Sequence, residues 1–215
     1  MARPIEGLYA VTPEEPDTAA LARRVEAAVR GGANLVQYRN KGGGDALRSE
    51  QARRIAPICR RYGARLIVND SVALAREAQA DGVHLGRDDG AVADARRLLG
   101  PSALIGVSCY DDLQRARDAA RMGADYVAFG SFFASSTKPG AVRAGFDLLR
   151  QARRELDLPI VAIGGIDATN AASLVEAGAD ALAVVSALFD AADVEAEARR
   201  LVRIFPETRK TATQR

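Results

Sequence analysis

Eight short apolar runs punctuate this chain from end to end: Leu8-Tyr9-Ala10-Val11, Leu35-Val36-Gln37-Tyr38, Leu66-Ile67-Val68, Gly82-Val83-His84-Leu85, Leu104-Ile105-Gly106-Val107, Tyr126-Val127-Ala128-Phe129, Ile160-Val161-Ala162-Ile163 and Ala183-Val184-Val185. Amphipathic stretches separate them, among them Thr18–Arg30, Asp45–Tyr62, Asp111–Met122, Phe146–Leu156 and Asn170–Ala177. Runs this short and continuous predict strands buried on both faces. Such strands alternating with helices predict parallel βα units.

A weak repeat supports that reading. Gly32-Ala33, Gly63-Ala64, Gly123-Ala124-Asp125 and Gly178-Ala179-Asp180 each stand just before a strand. Glycine suits the left-handed position that ends a helix, so each copy predicts the same helix-to-strand turn. Eight uninterrupted βα units predict an α/β fold of the closed (β/α)₈ TIM-barrel class, a single domain over residues 1–205. The polar tail 206–215 is expected to fray. At 215 residues the chain is shorter than the usual ~250 for that fold, which implies short loops. The runner-up is an open doubly wound sheet. It fits less well because Thr12-Pro13-Glu14-Glu15-Pro16 stands where a dinucleotide-binding glycine fingerprint would follow the first strand.

In a barrel of this kind function sits at the C-terminal ends of the strands, and here those ends are polar or glycine. The second strand leads into Gln37-Tyr38-Arg39-Asn40-Lys41. Alternation along an extended strand puts Gln37, Arg39 and Lys41 on one face, where an amide and two cations suit the wall of a pocket for a polyanion. Only three of the chain's 30 basic residues are lysines, Lys41, Lys138 and Lys210. The two internal ones suit sites that need a compact point charge. The third strand ends in Asn69-Asp70, the fourth in Gly86-Arg87-Asp88-Asp89 and the fifth in Ser108. After the sixth comes a loop from Gly130 to Gly140 carrying Ser135, Thr137 and Lys138, with the composition of a segment that closes over phosphates. Gly164-Gly165 and Val185-Ser186 follow the last two strands, where barrels commonly bind phosphate. Asp70 with Asp89 (or Asp88) could hold Mg²⁺ beside a diphosphate; Asp70 as a helix cap and Asp88-Asp89-Gly90 as a surface turn are the plainer alternatives.

Composition removes several function classes. A net charge of +2 with arginine pairs scattered over helical stretches is no nucleic-acid footprint, and no apolar run reaches the length of a membrane span. One histidine and two isolated cysteines leave no zinc site and no histidine-based triad. His84, inside a strand, reads as a hydrogen-bonded barrel residue. Lone thiols and the lack of a signal-like N-terminus point to the cytoplasm. Oligomeric state stays open, a homo-oligomer included.

Taken in order, the series Gln37-x-Arg39-x-Lys41, Asn69-Asp70, Asp81 to Gly86-x-x-Asp89, Ile105 to Ser108, Gly130 through Thr137-Lys138-Pro139-Gly140, Ala162 to Ile166 and Val184-Val185-Ser186 closely resembles the thiamine phosphate synthase family. The resemblance runs from about Leu8 to Phe205. It implies a transferase that condenses 4-amino-2-methyl-5-(diphosphooxymethyl)pyrimidine with 4-methyl-5-(2-phosphooxyethyl)thiazole, giving thiamine phosphate and pyrophosphate by a dissociative, Mg²⁺-assisted substitution. By that resemblance Gln37, Arg39, Lys41 and Asn69 hold the pyrimidine diphosphate, with Asp70 and Asp89 as metal ligands. Ser108 reaches the pyrophosphate. Ser135, Thr137 and Lys138 contact the thiazole phosphate or the leaving group, and Gly165, Val185 and Ser186 close the phosphate pocket. Arg39, Lys41, Ser108 and Lys138 would be the catalytic residues. The chain departs from the commoner pattern at Ser71 (often arginine), Arg87 (usually glutamine), Tyr110 (a histidine) and Ser135 (commonly threonine). A thiazole tautomerase of the same fold and a non-catalytic phosphate-ligand sensor are the competing readings. The Arg39/Lys41 and Asn69-Asp70 apparatus argues against the first, and the two-carboxylate site against the second.

Overall fold

A computed structural model describes residues 5–134 and 142–206. Its strands are β1 (Gly7–Val11), β2 (Leu35–Tyr38), β3 (Arg65–Asn69), β4 (Gly82–Leu85), β5 (Leu104–Tyr110), β6 (Tyr126–Phe129), β7 (Ile160–Ile163) and β8 (Ala181–Val184). They are parallel and pair in sequence order, and β8 returns to β1 to close the barrel. The connecting helices are α1 (Thr18–Arg30), α2 (Asp45–Tyr62), α3 (Val72–Glu77), α4 (Val92–Leu99), α5 (Leu113–Arg121), α6 (Phe146–Glu155), α7 (Ala171–Glu176) and α8 (Ser186–Phe189), with α9 (Val194–Val202) last. The expected α/β barrel is therefore the observed one.

The barrel has two apolar layers. Alternate strand residues such as Val36, Leu66 and Val83 join the helix faces in the outer layer. The others, including Tyr9, Leu35, Ile67, Tyr126 and Val161, fill the interior. Small residues make room for the two interior phenols. A Cβ on Gly106 would lie 2.0 Å from the Tyr126 ring, so the glycine on β5 is the space that the tyrosine on β6 occupies.

The N-terminal end of the barrel carries the repeated turn. Gly32, Gly63, Gly123 and Gly178 all have positive φ. Gln79 has a φ of 51° before Ala80-Asp81, so it is a further copy of the turn without the glycine. Three aspartates then tie adjacent strands. Asp81, Asp125 and Asp180 accept the backbone N–H of Leu66, Ile105 and Ile160 at 2.8, 2.7 and 2.7 Å. Each also pairs with an arginine, Arg65, Arg96 and Arg153 respectively.

Boundaries differ from the expected ones mainly at the mouth. β2 ends at Tyr38, so Arg39 and Lys41 both lie beyond the strand, and strand alternation does not put them on one face with Gln37. The cause is a polar turn, in which Asn40 Oδ1 accepts the N–H of Gly43 at 2.7 Å. β5 runs past Ser108 to Tyr110, with a bulge between the two.

Candidate active site

Strand ends deliver the expected residues to a single place. A cavity of about 890 Å³ opens at the C-terminal ends of the strands, and Gln37, Arg39, Asn69, Ser108, Gly165, Val185 and Ser186 all line it. Lys41, Asp70 and Asp89 are not among the lining residues; they meet one another next to Asn69 and Asp88, which are. Ser135, Thr137 and Lys138 lie outside the described residues.

That cluster is held by local geometry. Asp70 adopts a φ of 63°, a left-handed conformation that, glycine apart, asparagine and aspartate adopt more readily than most residues. The next residue, Ser71, caps α3 by accepting the N–H of Leu74 at 3.2 Å. That excludes the plain reading of Asp70 as the cap and leaves its carboxylate for other partners. Lys41 Nζ is one of them, 3.1 Å away. Asp89 is another, within hydrogen-bonding reach of Asp70. Asp89 Oδ2 also accepts the N–H of Gly86 at 2.7 Å. Of the two neighbouring acids, Asp89 is thus the one that meets Asp70. Partial burial and then the Asp70 carboxyl raise its pKa above the ordinary carboxylate value, against the pull of the Gly86 N–H and Lys41.

Two carboxylates that crowd each other in this way fit a hard divalent cation. Among the described residues no group of three or more His, Cys, Asp and Glu is placed to hold a metal. Such an ion would therefore take its remaining ligands from ligand oxygens and water, the habit of Mg²⁺.

Beneath the cavity runs a buried polar chain that sequence reasoning missed. Gln37 Nε2 donates to the Tyr9 hydroxyl at 3.1 Å, and the Tyr9 and Tyr126 hydroxyls are 2.8 Å apart. Tyr126 Oη lies 3.1 Å from Nδ1 of His84, and Nε2 of His84 lies 2.8 Å from Oγ of Ser108. One ordering uses each proton once. Tyr9 accepts from Gln37 and donates to Tyr126, which donates to Nδ1. The remaining proton then sits on Nε2, Ser108 Oγ accepts it, and the serine hydrogen is turned toward the cavity. Burial raises the pKa of both phenols, keeping them protonated. The available signal was a tyrosine within each of two apolar strands at inward positions.

A second buried set anchors Arg39. Thr12, fully buried, accepts the Arg39 N–H through Oγ1 at 2.9 Å and donates to the Arg39 carbonyl at 3.1 Å. Gln51, also fully buried, accepts from Tyr38 and Asn40 through Oε1. The guanidinium of Arg39 faces Glu14 at 3.6 Å.

Across the mouth, Gly165 has a φ of 63°, and a Cβ there would lie 2.2 Å from the Ala134 carbonyl oxygen. Close packing against the segment after β6 is thus enough by itself to require glycine. Gly165→Val would disrupt that packing as well as any anion contact, so Ser186, which also lines the cavity, is the cleaner probe of this side.

Comparison with known proteins gives the family of the chain. The family model described as thiamine monophosphate synthase matches residues 8–188. The chain is 57% identical over 199 residues to the thiamine-phosphate synthase of Thiobacillus denitrificans, covering 93% of this chain and 94% of that protein. It is 55% identical over 202 residues to the thiamine-phosphate synthase of Methylobacillus flagellatus, covering 94% and 96%. Among solved structures, thiamine phosphate pyrophosphorylase from Pyrococcus furiosus superposes with a TM-score of 0.82 at 34% identity, covering 92% of this chain and 94% of that one.

Proposed function

Since the chain belongs to the thiamine monophosphate synthase family and is a transferase of thiamine phosphate synthesis, we propose how its barrel mouth carries out the condensation. Gln37 and Asn69 orient the aminopyrimidine over the buried polar chain, and Arg39, Lys41 and Ser108 hold its diphosphate. Asp70 and Asp89 would hold Mg²⁺, which when bound supplies positive charge against the diphosphate oxygens. The thiazole phosphate enters from the side of Gly165, Val185 and Ser186. Ser135, Thr137 and Lys138 are assigned to the phosphates from sequence alone.

The chemistry asks for charge and position, not for a protein nucleophile. The bond between the pyrimidine methylene and the diphosphate oxygen breaks, its electron pair leaving with pyrophosphate. The electron-rich aminopyrimidine spreads the resulting positive charge. The thiazole nitrogen then donates its lone pair to the methylene, forming the new C–N bond. Arg39 and Lys41 offset the charge that grows on the leaving oxygens, and Ser108 donates the hydrogen that the polar chain turns toward the cavity.

The single observation that carries this reading is the Lys41–Asp70–Asp89 cluster, whose chain neighbours Asn69 and Asp88 line the same cavity as Arg39 and Ser108. A tautomerase or a passive sensor has no use for that combination. Incubation with both substrates, with Mg²⁺ or with chelator, tests it by product analysis. Thiamine phosphate and equimolar pyrophosphate are expected only with the metal, and full turnover in chelator refutes the metal assignment.

A further inference from the structure

We infer that Arg115, on α5, is the positioning residue for the carboxylate loop after β4, an inference that rests on the assignment of Asp70 and Asp89 to a metal. Pairing between β4 and β5 ends at Leu85 and Val107. One residue further on, the Arg115 side chain takes over the connection. Its Nε donates to the Ser108 carbonyl at 2.7 Å and its Nη2 to the Gly86 carbonyl at 2.9 Å. The planar fork of a guanidinium presents these two donors side by side in fixed geometry, so one side chain holds two main-chain oxygens on neighbouring strands.

Gly86 is the link to the acidic pair. Its carbonyl is gripped by Arg115, and its N–H donates to Asp89 Oδ2 at 2.7 Å. A Cβ on Gly86 would sit 2.5 Å from that same oxygen, so the carboxylate packs directly on the glycine backbone. Contacts therefore run from Arg115 through Gly86 to Asp89, and from Asp89 to Asp70 and Lys41. The other hand of Arg115 holds the backbone of Ser108, whose hydroxyl meets His84.

The base of the clamp is firm. Asp112 caps α5 by accepting the N–H of Arg115 itself at 3.0 Å, and Ala116 and Ala119 are fully buried beside it. The neighbouring arginines on α5 behave differently. Arg117 and Arg121 pair with the carboxylates of Glu155 and Asp118 on the surface. Arg115 directs its charge to neutral carbonyls at the mouth, which sets the distance between the serine and the carboxylate loop.

The test uses Arg115→Met, Arg115→Lys, Asp89→Asn and, as a control from the same helix, Arg117→Met. Binding of Mn²⁺ in the presence of pyrophosphate is followed by loss of the free-ion electron paramagnetic resonance signal, alongside the Mg²⁺ activation constant and Tm. Arg115→Met is expected to weaken metal binding by on the order of tenfold or more, as removal of a group that orients a metal ligand does. Arg115→Lys should fall between it and wild type, because one ammonium cannot reproduce the two-pronged fork. Arg117→Met should bind metal normally. If both Arg115 variants bind Mn²⁺ as wild type does while Asp89→Asn loses it, the positioning role is wrong. If Asp89→Asn itself binds normally, the two-carboxylate assignment fails and this inference falls with it. Should Arg115→Met not fold, Arg115→Lys decides the matter.

Discussion

The guanidinium of Arg87 lies over the ring of Tyr110, 5.1 Å from its centroid, and both residues line the mouth cavity. By the resemblance read from the sequence, these are two departures from the commoner family pattern, and the fold brings them into contact. Tyr110 reaches this position with a φ of 55°, directly after the β5 bulge. The two departures therefore behave as one exchange, a cation on an aromatic platform. Arg87→Gln and Tyr110→His should each lower kcat/KM, and the double variant should recover part of the loss. A coupling of about 0.5–1 kcal/mol is expected for an exposed cation–π pair. Strictly additive losses in the double-mutant cycle would rule the pairing out.

Asp70→Asn offers a clean removal of charge. Asparagine tolerates the left-handed backbone at this position, so Tm should stay within about 2 °C of wild type. Turnover should fall by ~10²-fold or more, the ~3 kcal/mol typical of losing one strong electrostatic contact in a transition state. Near-normal steady-state rates in a folded Asp70→Asn protein are the result that would falsify its assignment.

Gln79→Gly should stabilise the protein. Gln79 is exposed and takes the φ that glycine takes in the other copies of its turn. Relief of the left-handed strain, less the added freedom of the unfolded chain, amounts to roughly 0.5–1 kcal/mol. In a domain of this size that is about 1–4 °C in Tm, readable by calorimetry. A lower Tm means the glutamine side chain contributes something its geometry does not reveal.

Tyr126→Phe should cost more stability than Tyr9→Phe. The first removes the hydroxyl that accepts from Tyr9 and meets Nδ1 of His84, two contacts inside the barrel. The second orphans only the Gln37 amide, which borders the cavity and can turn to water. Each buried polar group left unpaired costs about 1–3 kcal/mol. Chemical denaturation of the two variants checks the order, and equal losses contradict the direction assigned to the chain.

Alkaline pH should destabilise the fold through its thiols. Burial pushes Cys59 and Cys109 up to about 12, whereas unfolded thiols ionise near ~8.5. Between those values the unfolded chain gives up protons that the folded chain keeps, so stability is intact below the lower pKa and falls as pH rises above it. The limiting slope is about 1.4 kcal/mol per pH unit for each thiol. Urea midpoints measured from pH 8 to 11 should fall more steeply for wild type than for a Cys59→Ala/Cys109→Ala variant. Parallel profiles would show that the thiols do not govern this range.

The sequence was most legible where local pattern and long-range structure agree. Seven of the eight apolar runs lie wholly on a strand and the eighth overruns β8 only at Val185, because strands covered on both faces have no polar side to interrupt them. Seven expected site residues share one cavity because a barrel collects its strand ends whatever lies between them. Short helices such as α3 and α8 offered too few turns for a strong periodic signal. The polar chain from Gln37 to Ser108 spans five strands, and no spacing in the sequence announces contacts such as Tyr9 with Tyr126, 117 residues apart. Thr12 and Gln51 were invisible for a related reason: their partners are backbone and amide groups of other elements, set by the closed sheet. The choice between Asp88 and Asp89 likewise waited on geometry, since only the fold shows which one faces Asp70.

The aspartate ties of Asp81, Asp125 and Asp180 sit at the N-terminal ends of the strands, a full strand length from the mouth. Three of the eight strand pairs, β3–β4, β5–β6 and β7–β8, are thereby fastened by aspartates that do not line the mouth cavity. Loops at the opposite rim, including those with left-handed Asp70 and Tyr110, are left free to be exchanged. A transplant of foreign mouth loops onto these eight staves keeps its hoops, so this chain is a scaffold on which a new chemistry can be tried without first re-earning the barrel.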